Sequence, residues 1–167
     1  MGSFMLIYIV VKIQRMPLRY IPSNQKITLP DGRVLKGPNY YLGKGGFANV
    51  YSYTLANESV AVKIPKTEHG NELQQNEIEL LNQVSWHPNI MHVITGLQIE
   101  KRIWIIMPQM KGSVRDLLDK NPALSSTTKL SVALQMTRGL AHLHNLKSGL
   151  FSQKGILHQD LKPENLF

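Results

Sequence analysis

The sequence closes on 155-GILHQDLKPENLF-167. His158, Asp160, Lys162, Glu164 and Asn165 fall within eight residues there, placing a base, two acids, a cation and an amide side by side. Pro163 fixes its own backbone and pushes Lys162 out of helical angles, so the stretch reads as a rigid loop that holds these groups in order. What such a loop does depends on the elements that feed it.

Upstream lies helical sequence. In 125-SSTTK-129 a Ser or Thr can serve as N-cap for a helix through 130-LSVALQMTRGLAHLH-144. Leu130, Ala133, Leu134, Thr137, Leu140, Ala141 and His144 share one face of it. A shorter helix covers 113-SVRDLLDK-120. Before these the pattern changes. The stretch 26-KITLPDGRVLKG-37 is two apolar runs around a Pro-Asp-Gly turn, and 40-YYLGKGG-46 and 49-NVYSYTL-55 are strands joined through glycines. Then 56-ANES-59 turns the chain into 60-VAVKI-64, a buried strand by its β-branched content. The segment 71-NELQQNEIELLNQV-84 has helical spacing, and 87-HPNIMHVITGLQIEKRIWIIM-107 reads as two strands about a polar turn at Glu100, Lys101 and Arg102. The order is strands with one helix, then helices, an α+β plan.

Two further features carry chemistry. Glycines 43, 45 and 46 stand between two strands, where a backbone without side chains can approach a phosphate and offer its amides. A glycine hairpin turn alone is more often only a turn. Lys63 ends an apolar strand and could reach out to water. In the next helix Leu73, Glu77, Leu80, Leu81 and Val84 share one face, so Glu77 either lies inside an apolar stripe or sits wet at its edge. Inside the stripe it needs a cation, because an unpaired carboxylate there would cost several kcal/mol or stay protonated. A lysine on the neighbouring strand would supply one.

Taken in order, LGKGGFANVY, VAVK, Glu77 before HPNI, and HQDLKPEN resemble the eukaryotic-type protein kinase catalytic domain over residues 38–167. The resemblance implies an N-lobe at 38–107 built on an antiparallel sheet with one helix, a hinge at 108–112 and the start of a helical C-lobe at 113–167. Residues 1–37 would be an extension with an apolar strand and a hairpin. It implies ATP and Mg²⁺ as cofactors and a protein substrate. Leu42, Gly43, Lys44, Gly45, Gly46, Phe47, Ala48, Asn49 and Val50 would cover the nucleotide, with Phe47 at the loop tip and Ala61 packing on the adenine. Lys63 would hold the α- and β-phosphates and Glu77 would orient it. Met107 would be the gatekeeper, and Pro108, Gln109 and Met110 the hinge. Asp160 would accept the substrate hydroxyl proton, Lys162 would neutralise the transferred phosphoryl group, and Asn165 would bind the metal. A lysine two residues after the Asp resembles the serine/threonine branch.

Departures from the family pattern qualify this. Ala48 stands for the third glycine of the loop, Pro108 removes one hinge donor, and Gln159 replaces the usual arginine, so no guanidinium beside Asp160 can pair with a phosphorylated loop. The stretch 145-NLKSGLFSQK-154 reads as an exposed insertion. No Asp-Phe-Gly triplet occurs, so the expectation is a C-terminally truncated catalytic domain, inactive on its own. A catalytically inactive kinase-like binding module is the alternative.

Composition sets the outer bounds. The 167 residues are 43% hydrophobic and 18% charged, enough for one ordinary domain with a core, and contain no cysteine. Net charge is +8, and residues 1–57 carry seven basic residues against one acid, Asp31. That is a solvated basic extension or a surface for an acidic partner. The charges stand singly, so nucleic acid is not expected. The apolar run at 4–11 is far short of the ~20 residues that span a bilayer, and it lacks the flanks of a signal peptide. Gly2 lacks the Ser or Thr of a myristoylation motif, since position six is Leu6. A strand or a docking segment is expected there, in an intracellular, cytoplasmic protein.

Overall fold

A computed structural model describes residues 24–68, 70–84, 87–146 and 155–167. The apolar run, most of the basic extension and all but the first two residues of the expected insertion lie outside them. The described residues of 24–82 and 92–109 form one compact unit, and those of 83–91 and 110–167 another.

The first unit is an antiparallel sheet of β1 (Gln25–Thr28), β2 (Val34–Lys44), β3 (Ala48–Leu55), β4 (Glu58–Pro65), β5 (Thr95–Ile99) and β6 (Arg102–Pro108), in the order β1-β2-β3-β4-β6-β5. Each hairpin has its local cause. In the first, Gly32 adopts φ +84° and Asp31 accepts hydrogen bonds from the Arg33 amide and guanidinium. Ala56 and Asn57 both take positive φ between β3 and β4, as Glu100 and Lys101 do between β5 and β6, which matches the twist of a two-residue hairpin. Arg102 does not belong to that second turn: it opens β6, paired with Ile99.

Side chains alternate across this sheet, and the two faces differ in kind. Leu35, Tyr51, Tyr53, Leu55, Val60, Val62, Ile64, Trp104 and Ile106 form the core, with the Tyr53 and Trp104 rings edge-to-face at 5.8 Å. The intervening positions point the other way. In register, Gly43 opposes Val50, Val50 opposes Lys63, and Ala61 opposes both Ser52 and Met107, so these residues share the second face.

Helix α1 (Gly70–Val84) buries Gln74, Glu77, Leu81 and Val84, with Leu80 half-buried. The side chain of Leu73, expected on this face, lies outside what is described. Gln74 was missed because its polar side chain breaks the apolar pattern. Two contacts set the helix against the sheet. A Cβ on Gly70 would come within 2.8 Å of the Pro65 Cβ, so only glycine allows the close start. The Asn71 side chain accepts from the Ile103 amide at 2.8 Å and donates to the Lys101 carbonyl.

The second unit holds α2 (Val114–Lys120), α3 (Ser126–Asn145) and a 3-10 turn at Pro163–Asn165. Ser113 and Asp116 close a reciprocal capping box on α2, and Ser125 caps α3. The buried positions of α3 are Gly139 and Leu143, whereas Leu130 and Leu134 on the expected apolar face stand 70% and 48% exposed. The packed side of α3 meets the segment after α1: His87 and His142 stack at 4.7 Å, and the Asn89 amide donates to the Gln135 side-chain carbonyl at 3.2 Å. At its C-terminal end the Leu143 and Leu146 carbonyls accept from the Ile156 and Gly155 amides. Gly155 has φ +85°, and a Cβ there would lie 2.4 Å from the His144 carbonyl oxygen.

Two outcomes follow from this unit. Gly155→Ala meets backbone in a left-handed conformation and should destabilise by about 2 kcal/mol in urea unfolding. His87 is held below its ordinary pKa of 6.5 by burial first, then by His142 and Arg138. The unfolded chain therefore takes up this proton before the folded one does. Stability should fall as pH drops below about 6.5 toward the lowered folded value, and His87→Gln should flatten that slope in a pH series of melting curves.

Candidate active site

The chemistry of the sheet unit centres on Lys63. It stands on the second face of β4, opposite Val50, where burial of an ammonium requires a partner. Glu77 on α1 provides it: the carboxylate accepts from the Lys63 ammonium, with the two side chains 8% and 19% exposed respectively. Glu77 thus faces inward as a charged pair, and the wet-edge alternative is excluded.

Around Lys63 the strands gather the other sequence-predicted positions. Leu42, Gly43 and Lys44 end β2, residues 45–47 form the loop, and Ala48, Asn49 and Val50 open β3. Ala48 is buried as the first residue of β3, so the third glycine position is a packed strand residue. Gly43 has no protein atom within 4 Å of a built Cβ and Gly45 only the Ala48 carbonyl at 3.5 Å, with no positive φ at either. The fold itself does not demand glycine at these two places. A ligand approaching the backbone would.

Ala61 and Met107 lie paired and buried on the same face. Beside them the sequence reading missed a polar relay. The buried Ser52 hydroxyl donates to the Gln109 side-chain carbonyl at 2.7 Å, and the Gln109 amide donates to the Tyr40 hydroxyl at 2.8 Å. The Gln109 bond first, and the Ser52 side chain second, hold the Tyr40 hydroxyl below its ordinary pKa. The Gln109 side chain is therefore occupied in tying the end of β6 to β2 and β3. Met110 begins the other unit.

In that unit residues 158–165 form a compact loop. Lys162 is extended and Pro163 opens the 3-10 turn, as the proline requires. Asp160 is the hub. Lys162 Nζ donates to its Oδ1 at 2.8 Å, and Asn165 Nδ2 donates to both its main-chain oxygen and its Oδ2, at 2.8 and 2.9 Å. With its amide nitrogen so committed, Asn165 is left with its carbonyl oxygen as the acceptor. His158 is buried, and the Asp160 amide donates to its carbonyl at 2.9 Å. Gln159 between them takes φ +61°, a conformation non-glycine residues adopt at some cost. From α2, Arg115 bonds Glu164 at 3.1 Å and the Val114 amide donates to the Leu166 carbonyl at 2.7 Å. Glu164 is held below the usual carboxylate range by a backbone amide first and by Arg115 second.

The sheet unit thus carries a buried lysine–glutamate pair and a glycine loop, and the other unit carries a loop built on Asp160, Lys162 and Asn165. Residues 39–167 match the protein kinase domain family. The chain belongs to that family. It is 30% identical over 131 residues to serine/threonine-protein kinase 36 of Mus musculus, covering 75% of this chain and 9% of that protein. The nodulation receptor kinase of Pisum sativum is 33% identical over 133 residues, covering 75% and 14%. MAP kinase-interacting serine/threonine-protein kinase 2 of Xenopus laevis is 29% identical over 130 residues, covering 75% and 26%. The chain spans about a quarter or less of the length of these relatives.

The pair is open to a direct energetic test. Glu77→Gln strands the Lys63 charge and should cost about 2 kcal/mol in urea unfolding, below the ~3–5 kcal/mol of a fully buried pair because Lys63 keeps partial exposure. Replacing both, Lys63→Met with Glu77→Leu, should recover most of that loss, giving a coupling energy well away from zero in the double-mutant cycle.

Proposed function

We propose that this chain is the nucleotide-binding and catalytic-loop portion of a serine/threonine protein kinase, which transfers the γ-phosphoryl group of ATP to a protein hydroxyl. The observation that carries this reading is the buried Lys63–Glu77 pair, set on the sheet face that also presents Gly43, Val50, Ala61 and Met107. Lys63 would meet the α- and β-phosphates, oriented by Glu77. The glycine loop would lie over the phosphates, with Leu42, Val50 and Ala61 about the adenine and the main chain of 108–110 reading its edge. The division into 38–107, 108–112 and 113–167 is part of the same reading.

Asp160 would accept the hydroxyl proton. The Lys162 ammonium already lies against it and would face the transferred phosphoryl group, where preorganised charge contributes most to such chemistry. The residues fit Mg²⁺ in part. The Asn165 carbonyl oxygen is the kind of hard ligand this ion takes, alongside phosphates and water, while no cluster of three His, Cys, Asp or Glu occurs among the described residues. Bound there, Mg²⁺ would neutralise phosphate charge. A protein substrate and a cytoplasmic site of action belong to this proposal, as does an acidic partner for the basic residues of 1–37. No helix among the described residues is long and apolar enough to cross a membrane.

The test uses the 167-residue chain. Calorimetry should show MgATP binding that weakens at least about tenfold in Lys63→Met. With labelled ATP and a basic protein substrate, transfer should not exceed that of an Asp160→Asn control, because these residues include no Asp-Phe-Gly segment. Equal nucleotide binding by wild type and Lys63→Met, or none by either, would replace this reading with a kinase-like binding module.

A further inference from the structure

Lys66 lies just past β4 and played no part in the sequence reading. Its backbone amide donates to the Phe47 carbonyl at 2.8 Å, and its ammonium donates to the Gly45 and Gly46 carbonyls at 2.8 and 3.1 Å. One residue therefore takes three successive carbonyls of the glycine loop. The Gly45 amide closes the loop from within by donating to the Ala48 carbonyl at 2.8 Å. Extending the pairing of Ala48 with Pro65 sets Phe47 opposite Lys66, and the three-residue spacing puts Lys66 on the face opposite Lys63.

We propose that Lys66 is a positioning residue that fixes the peptide planes of the glycine loop and so aims its amides at the phosphates of a bound nucleotide. The reason is geometric. In a planar trans peptide the C=O and the following N–H point in opposite directions. Drawing the Gly45 and Gly46 carbonyls toward the Lys66 ammonium turns the Gly46 and Phe47 amides away from it, toward the face that carries Lys63. The same bonds neutralise two carbonyl dipoles that would otherwise be free to swing against an anion. A flexible glycine segment is thereby ordered before the ligand arrives, which lowers the entropy cost of binding. Two lysines three positions apart then act on one nucleotide from opposite sides, Lys63 by direct contact and Lys66 through the loop.

The role toward phosphate rests on the nucleotide reading above, but the pin itself does not, and two measurements separate them. In the nucleotide-free 167-residue chain, Lys66→Met should raise amide hydrogen exchange at residues 44–48 about tenfold, while Lys66→Arg, which keeps a charged donor, should stay near wild type. Unchanged exchange in Lys66→Met would overturn the pin. In calorimetry, Lys66→Met should weaken ATP about tenfold and leave adenosine within about twofold. Equal losses for ATP and adenosine, or no loss for ATP, would overturn the aiming role. If exchange responds as stated while wild type binds neither ligand, the nucleotide reading fails and carries the aiming role with it, whereas the pin stands.

Discussion

A carboxylate buried without a partner costs several kcal/mol or gives up its charge, and in this chain that constraint organises the sheet unit. Glu77 is 8% exposed on α1, so α1 must lie where a lysine can reach it. Lys63 reaches it only because the register of β3, β4 and β6 sets its side chain on the face away from the aromatic core. Gly70 permits the helix to start against Pro65, and Asn71 ties its first turn to the β5–β6 connection. Each is a structural condition on one ion pair. An apolar pair of similar volume would fill the same space at less desolvation cost, so stability alone gives a weak account of why charge is used here.

The division of the sheet into two faces explains how stability and chemistry are kept apart. The core side carries the large rings and branched aliphatics, with Tyr53, Trp104, Val62 and Ile106 fully buried. The other side sets the small or polar groups Gly43, Ser52, Ala61 and Lys63 beside Val50, Ile105 and Met107. Alternation makes this separation automatic: each strand of a hairpin contributes to both faces, and a shift of one residue would exchange them. The Ser52–Gln109–Tyr40 relay and the Lys66 bonds are then local devices, one fixing where the chain leaves β6, the other fixing the loop that enters β3.

Much of this was legible from residue order. Hairpins announced by Pro-Asp-Gly and by the polar turn at Glu100, Lys101 and Arg102, the Ser or Thr cap of α3, and the sense of the Lys63–Glu77 pair all rest on short-range rules, and short-range rules are what a single sequence exposes. Misses came from elsewhere. Arg102 looked like turn because it is charged, yet the turn needs only two positive-φ residues and Arg102 pairs in the strand. Gln74 is buried but polar, and Gly139 packs α3 through the absence of a side chain, so neither registers in an apolar stripe. Lys66 and Tyr40 act across 21 and 69 positions of sequence, and no local pattern marks such partners.

The loop at 158–165 is held together with a neutral residue, Gln159, beside Asp160. Its order comes from inside: Asn165 bonds the main chain and carboxylate of Asp160, Lys162 bonds the other carboxylate oxygen, and Pro163 sets the turn between them. From outside, α2 contributes the Arg115–Glu164 pair and the Val114–Leu166 hydrogen bond. Arg115 and Lys162 are thus engaged with carboxylates, and residue 159 is a neutral amide in a left-handed conformation. Each of these two cations already has a carboxylate partner, so neither could take up another anion without weakening a pair that orders the loop.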